Sequence, residues 1–179
     1  MSNHILVAPY SSPVGILLIG TFDDHLVLCD WKYRKQRDQI DHRLTQYFNA
    51  SLENKKTRFH QTIFQQLEDY FNKGLKKFTI PILLAGTNFQ KDVWNSLLDL
   101  EYGEVISYGA LSRKRNQQKA IRAVAAANGA NALSIIVPCH RVVGADGSLT
   151  GYAGGLKAKR YLIDLERKNS DTGQMKLFI

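Results

Sequence analysis

Two apolar runs near the N-terminus, "VGILLIG" and "HLVLCDW", are joined through "TFDDH". Their density in aliphatic and β-branched residues predicts a β-hairpin with Asp23-Asp24 at its turn. Farther on the apolar period lengthens, and two helices are expected, from about Asp38 to Asn49 and from about Gln61 to Asn72. In the second, Phe64, Leu67, Tyr70 and Phe71 recur at helical spacing as core residues, and Gly74 supplies the stop. "KFTIPIL" predicts a short strand. Thr87 or Asn88 then caps a helix whose apolar face carries Phe89, Val93, Trp94, Leu97 and Leu98. The pattern divides near Leu84 to Gly86, giving residues 1–85 and 86–168, with 169–179 as a tail.

The second part contains a helix-turn-helix pattern. Ser107 caps a short helix through about Lys114, "KRNQQ" is a polar turn, and a second helix runs from about Gln118 to Asn128. Gly129 suits the left-handed position just past its end. Ile121, Val124 and Ala125 form the expected buried stripe, while Arg122, Ala123, Ala126 and Ala127 form the outer face. Such a pair is often only a structural corner. As a DNA reader it would be unusual, because base-edge readout calls for several Arg, Asn or Gln. One arginine among alanines instead permits close backbone approach, weak sequence preference and strong salt dependence.

Charge favours the DNA reading. The chain has 179 residues and a net charge of +8. Between Ser107 and Arg160 there are nine Lys/Arg and a single acid, Asp146, so this window carries the whole excess. That segregation points to a polyanionic partner. Hydrophobic and charged contents of 44% and 22% describe an ordinary globular protein. No apolar run reaches bilayer length, and Pro9, Pro13 and Asp23-Asp24 interrupt any signal-peptide pattern. Two cysteines, Cys29 and Cys139, make no disulfide framework, so free thiols in a reducing cytoplasm are expected.

The chemistry concentrates in "SIIVPCHRVVG", residues Ser134 to Gly144. A metal site is not expected there. Cys139 and His140 are adjacent, and His4, His25, Cys29, His42 and His60 show no paired zinc-module spacing. A cysteine ending an apolar strand is usually inert core. Pro138, however, breaks the run, and two basic residues follow, a setting that suggests a partly exposed, electropositive thiol. A free thiol, with a pKa of roughly 8.5, is only slightly ionised at neutral pH, so His140 is the candidate base. An imidazole base needs an orienting carboxylate; Asp146, Asp164 and Glu166 all qualify by position.

"PCHRVVG" resembles the active-site motif of the O6-alkylguanine-DNA alkyltransferases. "GTNFQKDVW", "YGEVISYGALS", "AIRAVAAANGAN", "GYAGG" and "LIDLE" follow that family's landmarks in order, covering Gly86 to Glu166. "YSSPVGILLIG" and "LEDYFNKGLKKFTIP" are similar more weakly. The resemblance implies an α+β protein: a small ribonuclease-H-like α/β domain with an antiparallel sheet, then a mainly helical, winged helix-turn-helix-like domain carrying the active site. It implies direct-reversal DNA repair without a cofactor. An alkylated base, O6-alkylguanine and also O4-alkylthymine, is flipped from duplex DNA, and its alkyl group passes irreversibly to Cys139.

By the same resemblance His140 relays the thiol proton through a water and Glu166 orients it. Arg122 is the finger inserted into the duplex, Tyr108 helps rotate the nucleotide, and Asn131 links the recognition helix to the active-site strand. Val142, Tyr152, Ala153 and Gly154 line the base pocket, with the carbonyls of Cys139 and Val142 accepting the guanine amino group. Ala123, Ala126 and Ala127 face DNA in the minor groove. Ala132 and Glu101 stand where the family commonly has proline, and Ala153 lacks a hydroxyl that some members carry. A monomer is expected, away from membranes. Two rivals are a non-enzymatic lesion-binding helix-turn-helix protein and a thiol redox sensor. In the tail, Gln174, Leu177 and Phe178 match the spacing of peptides that dock on bacterial sliding clamps, against the alternative of a tail folded on the body.

Overall fold

The hairpin turn is made as the sequence demands. Asp23 and Asp24 both take left-handed backbone angles, φ 44° and 55°, a turn whose twist matches that of the strands it joins. Those strands are β2 (Gly15–Phe22) and β3 (His25–Trp31). A third, β1 (His4–Ser12), pairs antiparallel with β2, and β4 (Ser51–Asn54) pairs parallel with β1, giving the order β3-β2-β1-β4. The computed structural model describes residues 3–115, 120–170 and 176–178.

Neither β1 nor β4 is evident from hydrophobic pattern. β1 contains Pro9, which argues against a paired strand, yet β4 ends opposite Val7. Residues two apart point their backbone groups the same way, so Pro9's missing N–H faces an edge already unpaired. Helix α1 (Arg37–Phe48) covers one face of the sheet, with Ile40 and Leu44 against Ile5, Val7 and Val27. Helix α2 (Arg58–Lys73) covers the other with Ile63 and Leu67. It begins a turn earlier than expected because Thr57 and His60 form a reciprocal capping box. "KFTIPIL" is extended but is not a strand: only Leu26 and Ile82 bridge, Leu26 N–H donating to Pro81 O at 2.8 Å. Pro81 has no donor with which to continue a ladder.

The remaining elements are α3 (Asn88–Leu98), β5 (Glu104–Ser107), α4 (Tyr108–Lys114), α5 (Ile121–Gly129), β6 (Val142–Val143), α6 (Gly155–Asn169) and β7 (Lys176–Phe178). Thr87 and Ser107 cap α3 and α4 as expected. The three short strands run parallel in the order β6-β5-β7, so the tail's backbone at 176–178 extends this sheet, while Gln174 lies outside the described residues. The core is continuous between the halves, with Leu17, Leu67, Val93, Leu111, Val124 and Leu162 in one cluster. No described helix is long and apolar enough to cross a membrane.

Helix α5 departs from the expected phase in three places. Its start near Gln118 falls outside the described residues. Val124, Ala127 and Asn128 face inward, whereas Ile121 in the first turn is 44% exposed. Ala127 is therefore buried rather than outward, and its carbonyl accepts from Trp94 Nε1 at 2.8 Å. Gly129 ends the helix with an ordinary backbone angle, and Ala130 is the cap.

His60 ties sheet to helix. Fully buried, its Nδ1 accepts from Thr57 N–H, and its Nε2 lies 3.1 and 3.2 Å from the carbonyls of Leu6 and Ile19. Burial lowers its pKa from 6.5, against those backbone hydrogen bonds. The unfolded chain therefore binds the proton first as pH falls. Stability should be full above about 6.5 and decline as pH drops from there towards the depressed folded value. Urea titrations of the native protein and His60→Gln should show that decline, with a shallower one in the variant. Equal slopes would remove His60 from the account.

Candidate active site

The run "LSIIVPC" is too apolar to suggest anything but a strand, and it is not one. Ile136 N–H donates to Ser134 O at 2.9 Å, with Ile135 between them at φ 73°. This is the strained form of the γ-turn, in a conformation that a β-branched residue rarely takes. Next, Cys139 N–H donates to Val137 O at 2.7 Å around Pro138 (φ −80°, ψ 60°), an inverse γ-turn. Pro138 then caps a single 3₁₀ turn, Cys139–Arg141. Two consecutive reversals fold the run on itself, which puts Cys139, His140 and Arg141 on different sides of one turn.

Glu166, projecting from α6, gathers that turn. Its carboxylate is 1% exposed and takes His140 Nε2 at 2.8 Å, Arg141 Nε at 2.7 Å and Arg141 Nη2 at 3.0 Å. Tyr70 Oη from α2 donates at 2.8 Å, and Gly103 N–H at 3.2 Å. Burial pushes this carboxyl up, but the hydrogen bond from His140 and the charge and hydrogen bonds of Arg141 outweigh it and hold Glu166 well below the usual range. The same burial keeps Tyr70 protonated as a donor and, against the pull of Glu166, lowers His140. His140 is thus neutral at neutral pH. With Glu166 as acceptor, Nε2 carries its proton and Nδ1 holds a free lone pair. That Nδ1 is buried and meets no hydrogen-bonding group among the described residues. The other carboxylates are elsewhere: Asp146 closes a turn with Ser148 N–H, and Asp164 pairs with Arg167.

The thiol is buried rather than partly exposed, and the positive charges that act on it are not those of its sequence neighbours. Cys139 is 4% exposed. Burial raises its pKa, opposed by a hydrogen bond from Asn131 and by the charges of Lys159 and Arg34. The sequence neighbours His140 and Arg141 are turned away towards Glu166, which is why adjacency misled. Asn131 Nδ2 sits 3.1 Å from Cys139 Sγ and 3.0 Å from Val137 O, while its Oδ1 accepts from Leu133 N–H. Asn131 therefore touches both the sulfur and the turn preceding it.

Cys139 lines a cavity of about 460 Å³ whose walls also include Tyr108, Ala125, Asn128, Tyr152 and Ala153. Val142 is fully buried in β6, and Gly154 packs against the Trp31 ring; neither lines it. A Cβ on Gly154 would stand 2.4 Å from that ring, so this close approach needs glycine. Cys139 O already accepts from Val142 N–H. Arg122, Ala123 and Ala126 are exposed on α5, the helix whose Ala125, Asn128 and Gly129 line the cavity. No group of three or more His, Cys, Asp or Glu among the described residues is placed to hold a metal.

Three site residues escape sequence reasoning. Asn128 Nδ2 reaches Tyr108 Oη at 3.4 Å and Cys139 O at 3.5 Å. Lys159, fully buried, donates to Thr150 O at 2.6 Å and Gly151 O at 3.3 Å, which holds the loop before Tyr152; burial lowers its pKa to about 8. Arg34 comes from the N-terminal half, donating to Asp30 at 2.9 Å, to Asn131 O at 2.9 Å and to Gly129 O. Lys159 has a recoverable signal, since it falls on the inward face of α6 with Leu162, Ile163 and Glu166. Arg34 has none.

The family profile for the ribonuclease-like domain of 6-O-methylguanine DNA methyltransferase matches residues 5–84, and that for its DNA binding domain matches residues 88–168. The methylated-DNA–protein-cysteine methyltransferase of Methanosarcina acetivorans is 39% identical, covering 89% of this chain and 96% of that protein. The protein of that name from Haemophilus influenzae is 39% identical, covering 88% and 84%. A crystal structure of Mycobacterium tuberculosis OGT in complex with DNA matches with a TM-score of 0.76 at 35% identity, covering 93% of this chain and 94% of that one.

Two outcomes are expected from this geometry. Iodoacetamide should label Cys139 more slowly than free cysteine at neutral pH, with the gap closing as pH rises; equal rates by peptide mass would contradict the buried thiol. Glu166→Gln leaves Arg141 buried without its partner, so urea unfolding should register a loss of about 3–5 kcal/mol.

Proposed function

The chain belongs to the 6-O-methylguanine DNA methyltransferase family and is a methylated-DNA–protein-cysteine methyltransferase, and from that premise we propose that Cys139 is the alkyl acceptor. The observation that carries this reading is a buried sulfur in the wall of the cavity, backed by a neutral imidazole and a buried carboxylate. Residues 1–85 serve as the scaffold and 86–168 as the reacting and DNA-binding part.

DNA repair here proceeds by alkyl transfer. The Cys139 proton passes through a water to His140 Nδ1, and Glu166 stabilises the imidazolium through Nε2. The thiolate attacks the saturated carbon on O6 of guanine; the S–C bond forms as the C–O bond breaks, and the electron pair leaves with guanine. Guanine then takes up one proton, which balances the one lost by the thiol, so no cofactor is required. The thioether offers no carbonyl to water, which makes the reaction a single turnover. O4-alkylthymine presents the same kind of carbon and is a second substrate.

The sulfur lies too deep for a stacked base, so the target nucleotide must be flipped out, at a cost of a few kcal/mol. Arg122, exposed on α5, fills the space left in the duplex. Tyr108, held near Asn128, steers the base against Tyr152 and Ala153. Ala123 and Ala126 let α5 approach the minor groove closely with little sequence preference. Asn131 positions the sulfur. The protein acts as a monomer. Docking on a sliding clamp through Gln174, Leu177 and Phe178 would require β7 to leave β5, which weighs against it.

The test is stoichiometric. Duplex DNA carrying one O6-methylguanine should leave a single methyl group on the Cys139 peptide, with no more than one turnover per protein. Cys139→Ala should lose transfer and still bind the duplex. Methyl on another residue, or repeated turnover, would reject the mechanism; binding without transfer by the native protein would favour the lesion-binding rival.

A further inference from the structure

The cavity has a third wall that the family motifs do not touch. It comes from the stretch after β3, "KYRKQR", which holds four basic residues and no acid from Lys32 to Arg37. Arg34 in its centre is 7% exposed and points inward, its guanidinium held by Asp30 and by the carbonyls of Gly129 and Asn131. That inward anchor fixes the loop to the C-terminal end of α5 and forces its neighbours outward. Lys35 and Gln36 line the cavity and are exposed. Tyr33 is 80% exposed, the most exposed of the large apolar side chains among the described residues, with Lys32 Nζ 5.3 Å from its ring centroid. Neither Lys32 nor Lys35 forms an ion pair with a described residue.

Nothing in the packing of the fold calls for this surface. An exposed aromatic ring with one ammonium group over it, two residues before a lysine that lines the cavity, has the chemistry that meets a nucleic-acid strand: phosphates for the ammonium groups and a sugar or base face for the ring. Its position agrees. Arg122 and Gly129 lie seven residues apart on α5, about 10 Å along the axis. The loop docks at the Gly129 end, so Lys35 lies at the opposite end of α5 from Arg122.

We propose that Lys32, Tyr33 and Lys35 form a second DNA-contact surface, contributed by the N-terminal half, which holds the strand that carries the flipped nucleotide. The two lysines take phosphates beside that nucleotide, and Tyr33 packs on the adjacent sugar or base. This rests on the flipped-base reading above and adds a role to residues outside the helix-turn-helix. The N-terminal half is then more than a scaffold, because the end of α5 and the loop that meets DNA are joined through one buried arginine.

The experiment is a set of fluorescence anisotropy titrations with duplex DNA carrying one O6-methylguanine, from about 50 to 200 mM salt. For the double variant Lys32→Ala/Lys35→Ala, affinity at low salt should fall about tenfold and the slope of log K against log salt should shrink by nearly 2. Variant and native curves should converge as salt rises. Tyr33→Ala should weaken binding about fivefold or more with the slope retained. A double variant with native affinity and slope would overturn the proposal, and would leave an acidic protein face as the remaining partner for this surface. Methyl transfer by the native protein on the same duplex is read in parallel; its absence would strike the flipped-base reading itself, whatever the slopes.

Discussion

Every part of this molecule that matters for reactivity converges on one buried carboxylate. Glu166 alone would be expelled from the interior, since a lone ion there costs several kcal/mol. It is retained by Arg141 from the active-site turn, His140 beside it, Tyr70 from α2 and the backbone of Gly103 before β5. Four segments distant in sequence are therefore required to meet at one point. The meeting fixes the imidazole tautomer, and with it which ring nitrogen is left to take a proton.

A second convergence sets where the sulfur of Cys139 lies. The carbonyls that end α5 are taken by side chains from elsewhere: Ala127 by Trp94, Gly129 and Asn131 by Arg34, and Ala130 by Arg43. Guanidinium groups suit this negative end of a helix. Asn131, at the end of that capped segment, hands the order on to Cys139 Sγ. The thiol thus sits at a defined but buried place, where burial raises its pKa. Depth and reactivity pull against each other here. On the proposed mechanism His140 Nδ1 answers that conflict, because it is buried and meets no hydrogen-bonding group among the described residues.

Local signals served well where the cause of structure was local. Asp23-Asp24 makes the hairpin turn, Thr87 and Ser107 cap their helices, and Pro138 ends the apolar run. Tyr70 and Trp94 belong to the core as their spacing suggests, although their hydrogen bonds to Glu166 and to Ala127 carry no local mark. Failures came where partners were remote. β4 is four residues, three of them polar, paired only through β1, and Pro9 hides β1 by facing an edge that cannot be seen before the sheet is assembled. The run ahead of Cys139 reads as a strand because its composition is that of one, while its two γ-turns are imposed by Asn131 and the surrounding core.

By itself the sequence determined the chemistry on offer: a thiol beside an imidazole after a proline, an alanine-rich helix with one arginine, and a basic excess around them. Its ordered motifs also determined the family, because so many landmarks at matching spacing leave little freedom. Only the tertiary structure decided that Cys139 is buried and that His140 turns from it towards Glu166. It alone placed Arg34 and Lys35 at a cavity more than 90 residues away in the chain from Asn128 and Asn131. The reason is physical. Side-chain identity and turn propensity are properties of a few neighbouring residues, whereas burial, ion pairing and the sharing of hydrogen bonds exist only between segments that folding has brought together.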